Sequence, residues 1–475
     1  MLRGRAALTA AVAIVTFFVT AHALLQLPSI PDTDSYYHLA VARLYGEQGF
    51  VDRLEWARFS AMHEGFGDKE PLFHALLIPF ADATRGRLAV AAINALLAGT
   101  IAFVAIGAMG PWGAAIAPLV FLTAPYFWSR TIRLRPEGLS VTLMILVIHF
   151  ASQRRVWIAA ALSAAFALTH TPWHALAGMA VLWLIVTREW RTTVAIIGGI
   201  ALGLIVHPHF PYSLRIWFLQ NVESMRHGAV IGMSTENVRP PIALLLAHNA
   251  GWFVAAVAAL LLARPWREKV SRETLFFAVP AVVFAAMQLL WERMSTYFFP
   301  LATLAIVLWC GTQLTRRRFA VVALIAIAAS APFALLSARS LAGRLPMDVE
   351  RDWAELGKQI PPGAKIAATW GATDAYVFWA PQGRYLNVLD PAMMLVHDPN
   401  AYWAHRTLFD GTAPDLAFVA KKQLDSDYIA FARWEASPRF LERVKSDPRL
   451  ERVYDGYNVL LRVKPPGATG SQPVE

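Results

Sequence analysis

Near-continuous apolar stretches dominate the first 340 residues and alternate with short polar segments. A helix needs roughly 20 apolar residues to cross a membrane, with a range of about 17–25. The pattern predicts about eleven transmembrane helices, which lie at residues 6–27, 88–109, 111–128, 138–152, 156–171, 173–187, 192–208, 242–263, 273–291, 296–313 and 319–337. We expect the first to be a retained anchor rather than a signal peptide, because its apolar core is long and no small-residue cleavage site ends it.

The remainder of the chain has a different pattern, in which short apolar runs alternate with amphipathic stretches. This pattern predicts a small α/β domain over residues 341–464, followed by a disordered tail at 465–475. One helix of this domain is expected at 399–411. Four strands are expected, at 365–370, 385–390, 416–420 and 459–463. The predicted fold class is therefore a polytopic α-helical membrane protein with a C-terminal extracytoplasmic α/β domain.

Composition supports a membrane protein. The chain has 475 residues, of which 56% are hydrophobic and 16% charged, whereas soluble domains carry about 25% charged residues. The net charge of +10 comes from the apolar part, where 27 basic residues face 16 acidic ones over residues 1–340. Membrane lipids or phosphate-bearing ligands are therefore expected partners, and nucleic acid is not. The single cysteine, Cys310, excludes a disulfide within the chain.

Short-loop charge predicts the orientation, since cytoplasmic loops are enriched in lysine and arginine. Four short loops are basic and are assigned to the cytoplasm: those with Arg154 and Arg155, with Arg188 and Arg191, with Arg264, Arg267, Lys269 and Arg272, and with Arg316, Arg317 and Arg318. The N-terminus is then cytoplasmic, and the predicted location is a bacterial-type inner (plasma) membrane. Two large loops, 28–87 and 209–241, and the C-terminal domain lie on the periplasmic or extracellular side.

The first outer loop begins with two acids, Asp32 and Asp34, directly before Tyr37 and His38. Either acid could simply cap a helix. At the mouth of a membrane bundle, a carboxylate can also bind a divalent metal or act as a base. Further acids follow in the segment 64–70, for which a solvated face and a functional role are both open.

A second outer segment, 129–140, holds Arg130, Arg133 and Arg135 against the positive-inside trend. Arginine suits phosphate because its planar fork donates two parallel hydrogen bonds. Anchoring to lipid headgroups is the alternative interpretation. Glu137 follows at the first turn of the next helix, where a carboxylate is also favoured by the helix dipole.

Two further outer segments carry an acid and an arginine just before an apolar stretch. One ends in Glu236 and Arg239, and the other in Glu292 and Arg293. Ordinary helix-start chemistry is the alternative for Glu236, and interfacial anchoring is the alternative for Glu292 and Arg293. Four histidines at outer helix ends are interpreted as interfacial, hydrogen-bonded groups rather than metal ligands: His170, His174, His207 and His209.

The order of these segments resembles the GT-C superfamily of polytopic glycosyltransferases. The likeness is to the oligosaccharyltransferase catalytic subunit and to the mannosyl- and aminoarabinosyl-transferases that use lipid-phosphate sugars. DSYYH matches the family's acid before paired aromatics, which places Asp34. Ser-Arg-Thr at 129–131 leads to Glu137 at the family spacing, MSTENVRPP places Glu236, and Arg293 with Tyr297 and Pro300 matches the donor-phosphate motif.

The resemblance implies a GT-C-like fold and transfer of a sugar or glycan from a polyprenyl-(pyro)phosphate donor to a protein, lipid or glycan acceptor. It implies a divalent metal, Mg²⁺ or Mn²⁺, and leaves a metal-independent reaction open. The residues fall into three groups: catalytic Asp34, Asp32 and Glu137; substrate-binding Arg293, Arg135, Arg133, Tyr297, His38 and Tyr37; metal-binding Asp34, Glu137 and Glu236.

The chain also departs from the oligosaccharyltransferase pattern. The WWDYG motif is absent, and Leu139 stands where a second acid is expected. Acceptor identity therefore does not transfer. Two other functions stay open from the sequence, namely a transporter or flippase of a lipid-linked anion and a non-catalytic envelope assembly factor. Transporters usually bury charge near mid-membrane, whereas the charges here lie in outer loops.

Overall fold

A computed structural model describes residues 2–231, 239–267, 269–311, 313–342 and 348–464. The protein is mostly helical, with several apolar helices and one small sheet close to the C-terminus. The predicted tail at 465–475 lies outside the described residues.

Helices joined by short loops form the part of the chain up to residue 231. The longest, α5, begins where the carboxylate of Asp82 accepts a hydrogen bond from Arg85 N at 2.8 Å. The helices are α1 (Leu2–Leu25), α2 (Asp34–Gln48), α3 (Ala61–Glu64), α4 (Pro71–Leu77), α5 (Ala83–Met109), α6 (Ile116–Thr123), α7 (Pro125–Thr131), α8 (Glu137–Ser152), α9 (Val156–Thr169), α10 (Trp173–Thr187), α11 (Trp190–Ile205), α12 (Tyr212–Phe218), α13 (Ser224–Arg226) and α14 (Gly228–Ile231).

Five more apolar helices follow. They are α15 (Ile242–His248), α16 (Ala250–Ala263), α17 (Arg272–Gln288), α18 (Ser295–Cys310) and α19 (Arg316–Ala342). Among the described residues, three helices are long and apolar enough to cross a membrane: Arg3–Leu25, Ala83–Thr123 and Glu292–Cys310. The pair α15 and α16, bent by 73°, makes a fourth if counted as one span. Nine of the eleven predicted apolar stretches each fall on one helix, whereas 111–128 is divided between α6 and α7 and 242–263 between α15 and α16. The number of spans stays a prediction.

Small residues let two of these helices approach closely. A Cβ at Gly199 would lie 2.1 Å from the carbonyl oxygen of Ala160, and one at Gly203 would lie 2.5 Å from that of Ala164. Glycine spaced four residues apart on α11 therefore faces alanine at the same spacing on α9. Such small-residue stripes are typical of helix pairs in membranes, where backbone contact replaces hydrophobic driving force.

The C-terminal region combines six helices with a four-stranded sheet. The strand order is β1-β2-β4-β3, with β1 parallel to β2 and the other two pairs antiparallel. The elements are α20 (Val349–Lys358), β1 (Ile366–Ala368), α21 (Trp370–Trp379), α22 (Ala392–His397), α23 (Pro399–Phe409), α24 (Leu416–Phe418), β2 (Tyr428–Ala432), α25 (Pro438–Ser446), β3 (Leu450–Asp455) and β4 (Asn458–Val463).

Two of the four strand predictions are wrong. Residues 416–420 are helical because the Asp415 carboxylate caps the segment, accepting from Phe418 N at 2.9 Å, and a five-residue apolar run suits either structure. In residues 385–390 only Tyr385 makes an isolated bridge, with Ala57, and Leu389 turns the chain with a positive φ of 57°. Conversely, β2 and β3 were not predicted.

The segment that was expected to be a strand instead joins the C-terminal region to the first outer segment. Tyr385 N donates to Trp56 O at 2.7 Å, and Phe59 N donates to Leu386 O at 2.8 Å. Helix α21 packs on α2, and one buried apolar cluster includes side chains of both regions. The C-terminal region therefore covers the start of the first outer segment, where the candidate acids lie.

Candidate active site

The two acids that open the first outer segment share one arginine. Arg135 donates through Nη2 to Asp32 Oδ1 at 2.8 Å, and its Nε also donates to the same carboxylate. The same Nη2 lies 2.9 Å from Asp34 Oδ2. Asp34 is the first residue of α2, so its carboxylate stands at the helix N-terminus, where negative charge is favoured. The structure thus brings together three predicted residues that lie about 100 positions apart.

A backbone contact holds the arginine-rich segment against the start of α2. Leu134 N donates to Ser35 Oγ at 3.0 Å, and both residues are fully buried. Arg133, one residue earlier, donates from Nε to Ser129 O at 3.2 Å. The Leu134–Ser35 hydrogen bond holds the backbone next to Arg135 against α2, which explains why the Arg135 side chain reaches Asp32 and Asp34.

A second acid–arginine pair lies at the start of α8. Arg130 Nη2 donates to Glu137 Oε1 at 2.8 Å, and the Arg130 side chain is only 4% exposed. The seven-residue spacing noted in the sequence corresponds to this ion pair, because α7 ends just after Arg130 and α8 begins at Glu137. A buried charge pair of this kind stays together because either partner alone would be costly to bury.

Tyr297, on α18, contacts residues of α8 and α17 and the residue that ends α9. Its hydroxyl lies 2.8 Å from Ser140 Oγ and 3.1 Å from His170 Nδ1, and its ring stacks on Phe284 at 4.8 Å. Arg293, in the turn before α18, acts electrostatically on both Tyr297 and His170. His170 is hydrogen-bonded at the end of α9, and its interfacial position stays a prediction.

Tyr37 and His38 are buried, at 1% and 4% exposure, and face the segment 66–74. His38 Nδ1 lies 2.8 Å from His74 Nε2, and His74 Nδ1 lies 2.7 Å from Asp68 Oδ2. Burial raises the pKa of the Tyr37 hydroxyl and lowers the pKa of His38 well below its usual value.

The solvated-face interpretation of residues 64–70 is wrong for two acids, since Asp68 is 1% and Glu70 3% exposed. Burial raises the pKa of Glu70 to about 7. Burial also acts to raise the pKa of Asp68, but the electrostatic interaction with His74 and the hydrogen bonds from His74 and Tyr45 outweigh it, and the net pKa is lowered. The spacing of Glu70 and His74, four apart at the start of α4, is the local signal that could have identified them.

The C-terminal region contributes one acid that sequence reasoning missed. Asp374, on α21, is 2% exposed and accepts a hydrogen bond from Leu389 N at 3.0 Å. Burial raises its pKa well above the usual value, and the neighbouring charges of Asp34 and Asp32 raise it further. Asp374 lies in WGATDAY (370–376), which is not a convincing counterpart of the WWDYG motif by sequence. Only the packing of α21 on α2 places this acid near Asp34.

Hydrogen bonds from Tyr36 and Arg87 to Glu350, which together are called the latch, hold α20 against α2 and α5. The hydroxyl of Tyr36 donates to Glu350 Oε1 at 2.5 Å, and Arg87 Nη2 donates to the same oxygen at 2.9 Å. Tyr36 also accepts from Ile30 N at 3.1 Å. The first of the paired aromatics therefore has a structural role that its sequence position did not reveal.

The predicted residues thus form two acid–arginine pairs and one hydroxyl–imidazole cluster at neighbouring helix ends. Glu236 lies outside the described residues. The groups also affect one another electrostatically. Besides burial, the charges of Arg135 and His170 help to lower the pKa of His38, and the charge of Glu137 helps to raise the pKa of Glu70. Such a set can bind an anion through its arginines and can accept a proton through a carboxylate.

No protein-family model and no curated protein sequence matches the chain. Solved structures do. ArnT from Cupriavidus metallidurans, solved apo and bound to undecaprenyl phosphate, matches with a TM-score of 0.59 and 15% identity over 97% of this chain and 98% of that chain. The archaeal oligosaccharyltransferase AglB from Archaeoglobus fulgidus, in complex with an inhibitory peptide and a dolichol-phosphate, gives 0.63 and 10% identity over 89% and 69%.

A third match is the arabinofuranosyltransferase AftD from Mycobacteria, with a TM-score of 0.57 and 18% identity over 98% of this chain. The match covers only 42% of AftD. All three are GT-C glycosyltransferases. The chain has a GT-C-like fold. This confirms the predicted GT-C-like fold, and at these identities the likeness is evidence for the fold and not for the substrates.

Proposed function

We propose that this chain is an integral membrane glycosyltransferase that moves a sugar or glycan from a polyprenyl-(pyro)phosphate donor to an acceptor on the outer face of the membrane. The observation that carries the proposal is the cluster of Asp32, Asp34 and Arg135 at the start of α2 in a GT-C-like fold. ArnT with undecaprenyl phosphate and AglB with dolichol-phosphate support a lipid-phosphate donor.

Arginines stabilise the leaving group in this mechanism. Departure of a lipid phosphate develops negative charge, and preorganised cations placed at that charge lower the barrier. We assign donor-phosphate binding to Arg293, Arg135 and Arg133. Arg130 is already paired with Glu137, so in this mechanism it keeps that carboxylate in place at the start of α8.

Asp34 acts as the base. It accepts the proton of the attacking acceptor while the bond from the anomeric carbon to the donor phosphate oxygen breaks, and the phosphate leaves with that electron pair. Asp374 supports this assignment, because burial and the charge of Asp34 keep its pKa raised, so it is the neutral member of the two acids. Asp32 holds Arg135 in position, and Tyr297, Tyr37 and His38 stay predicted substrate contacts.

A divalent metal held by Asp34, Glu137 and Glu236 also stays a prediction. Asp34 is 2.9 Å from Arg135, and Glu137 accepts from Arg130 at 2.8 Å. A metal ion at these carboxylates would therefore compete with a guanidinium for each of them. The arginines supply the charge stabilisation on which the proposed mechanism depends, and no step passes through a metal.

The chain is proposed to cross the membrane about eleven times within residues 1–340, with a cytoplasmic N-terminus. The C-terminal domain, 341–464, is placed on the same outer side as loop 28–87. Contacts between the two support this, since residues 56–59 pair with 384–386 and Tyr36 donates to Glu350.

The test is sugar transfer from a lipid-linked donor in membranes at matched expression. Asp34→Asn is expected to lower the transfer rate by at least about 10²-fold, the usual cost of removing a catalytic proton acceptor. Glu137→Gln is also expected to lower the rate, because it takes the charged partner away from the buried Arg130. Glu64→Gln is the control, because that side chain is 52% exposed and makes only long surface ion pairs among the described residues.

Equal transfer by all four proteins would contradict the proposal. A transporter would move labelled lipid across vesicles without forming a glycosidic bond, and an assembly factor would do neither.

A further inference from the structure

We infer that His38, Glu70 and His74 form a binding site for a zinc-class divalent ion that ties α2 to α4. The site is separate from the metal set predicted at Asp34. Its three ligand atoms all lie within 4.8 Å of one another. All three residues are buried, at 4%, 3% and 0% exposure.

The two imidazoles present their nitrogens to each other. His38 Nδ1 and His74 Nε2 are 2.8 Å apart. His74 Nδ1 lies 2.7 Å from a carboxylate oxygen of Asp68, which only accepts, so this nitrogen carries the proton. A neutral His74 therefore has a lone pair on Nε2, directed at His38, and a metal ion needs such a lone pair.

Asp68, the residue that holds the outer nitrogen of His74, is itself fixed by further hydrogen bonds. Asp68 accepts from His74, from the hydroxyl of Tyr45 at 2.5 Å and from Glu70 N at 3.0 Å. A carboxylate that holds the outer nitrogen of a metal-ligating histidine fixes its tautomer and raises its basicity. The chain Tyr45–Asp68–His74 has this arrangement.

A second observation points to a cation. Oε2 of Glu70 is buried and has no hydrogen-bond partner among the described residues. It lies 3.7 Å from His38 Nδ1, which is too far for a hydrogen bond. A buried oxygen left without a partner is costly. An ion between this oxygen and the two imidazole nitrogens would satisfy it.

The donor set selects the kind of ion. Two imidazoles and one carboxylate suit zinc and similar borderline ions, whereas magnesium and calcium prefer oxygen ligands. His38 lies one helical turn after Asp34 on α2, and Glu70 and His74 lie one turn apart at the start of α4. A bound ion would therefore fix the rotation of the helix that carries Asp34.

The test is metal binding by the purified full-length protein in detergent, stripped with a chelator and then titrated with Zn²⁺ or Mg²⁺. We expect one tightly bound zinc per chain by elemental analysis, no comparable magnesium, and a rise in the unfolding temperature with zinc. Glu70→Gln and His38→Asn are expected to weaken zinc binding at least about 100-fold, and Asp68→Asn about 10–100-fold.

His63→Asn is the matched control, since His63 lies in the same outer segment and its ring is hydrogen-bonded to Leu54 O at 3.3 Å, outside the proposed ligand set. It is expected to bind zinc like the unmodified protein, and so is Asp34→Asn, which separates this site from the reaction centre.

If His38→Asn fails to fold, Glu70→Gln still tests zinc binding, because it keeps the shape of the side chain and removes only its charge. The inference is overturned if the unmodified protein retains no zinc, if Glu70→Gln binds it unchanged, or if only Asp34→Asn or His207→Asn abolishes binding. Sugar transfer is not measured, so failure here leaves the proposed function standing.

Discussion

Arg135 is the residue on which the arrangement of the first two acids depends. Its guanidinium contacts both Asp32 and Asp34, and its side chain is 15% exposed. Without it, two carboxylates would face each other beside the buried Asp374, with repulsion that a low-dielectric surrounding makes stronger. Its planar fork can serve two acceptors at fixed angles, which an ammonium cannot do.

We therefore expect Arg135→Ala to lower kcat/KM for sugar transfer by about 10²–10³-fold, the usual effect of removing one preorganised charge. Arg135→Lys is expected to recover only part of the rate. Arg85→Ala is the control, because Arg85 is 67% exposed and its partner Asp82 is exposed as well. A lysine variant as active as the unmodified protein would show that the fork geometry is unimportant.

Asp374 gives a prediction for pH dependence. Its folded-state pKa lies well above the usual value because of burial and the charge of Asp34. Between the unfolded and folded pKa values, the folded protein binds more protons than the unfolded one, so stability falls as pH rises through that window.

Asp374→Asn mimics the protonated form and is expected to reduce this loss of stability as pH rises above the usual pKa of an aspartic acid, about 3.9. The measurement is the unfolding temperature in detergent against pH. Asp410→Asn, at a 55% exposed side chain, serves as control and should keep the slope of the unmodified protein. A slope unchanged by Asp374→Asn would contradict the assignment.

At the scale of elements, the latch between α2, α5 and α20 decides where the C-terminal region sits. Tyr36 and Arg87 both donate to one oxygen of Glu350, at 2.5 and 2.9 Å, and the Arg87 side chain is 7% exposed. Hydrogen bonds to a charged group contribute about 1.5–3 kcal/mol. The contact joins residues more than 260 positions apart, so it holds separate parts of the chain together.

Glu350→Gln should lower the free energy of unfolding by about 1.5–3 kcal/mol, since Arg87 loses its charged partner. The measurement is the unfolding temperature in detergent, with protease sensitivity of the C-terminal region as a second readout. Glu355→Gln, on the exposed side of the same helix, is expected to leave both unchanged. If the two variants behave alike, the latch does not hold the region.

At the scale of the whole molecule, contacts join the first outer segment to the C-terminal region. We therefore predict that both lie on one side of the membrane. The positive-inside pattern assigns that side to the exterior. The only cysteine, Cys310, is fully buried, and a Cys310→Ala background permits cysteine mapping.

In intact cells, a membrane-impermeant maleimide is expected to label Glu64→Cys and Lys358→Cys, whose side chains are 52% and 66% exposed. Arg154→Cys, at a 71% exposed position in a basic loop, should react only after permeabilisation. Labelling of Glu64→Cys and Lys358→Cys from opposite sides would contradict the proposed topology, and labelling of Arg154→Cys alone would reverse it.

The sequence by itself determined the apolar helices, because a bilayer demands long apolar stretches and charge bias marks their loops. It also singled out Asp34, Arg135 and Glu137, since charge at the outer ends of such helices is rare enough to stand out. The resemblance in their order agreed with the fold that the solved structures show.

Only the tertiary structure decided which polar residues are buried and with which partners. Asp374 becomes a neighbour of Asp34 because α21 packs on α2. Asp68 and Glu70 are shielded from solvent because His38, His74 and Tyr45 surround them. Short runs such as 416–420 were ambiguous because caps and sheet neighbours select their structure. In each case the physical reason is the same: burial and pairing are set by residues distant in sequence, which local pattern does not encode.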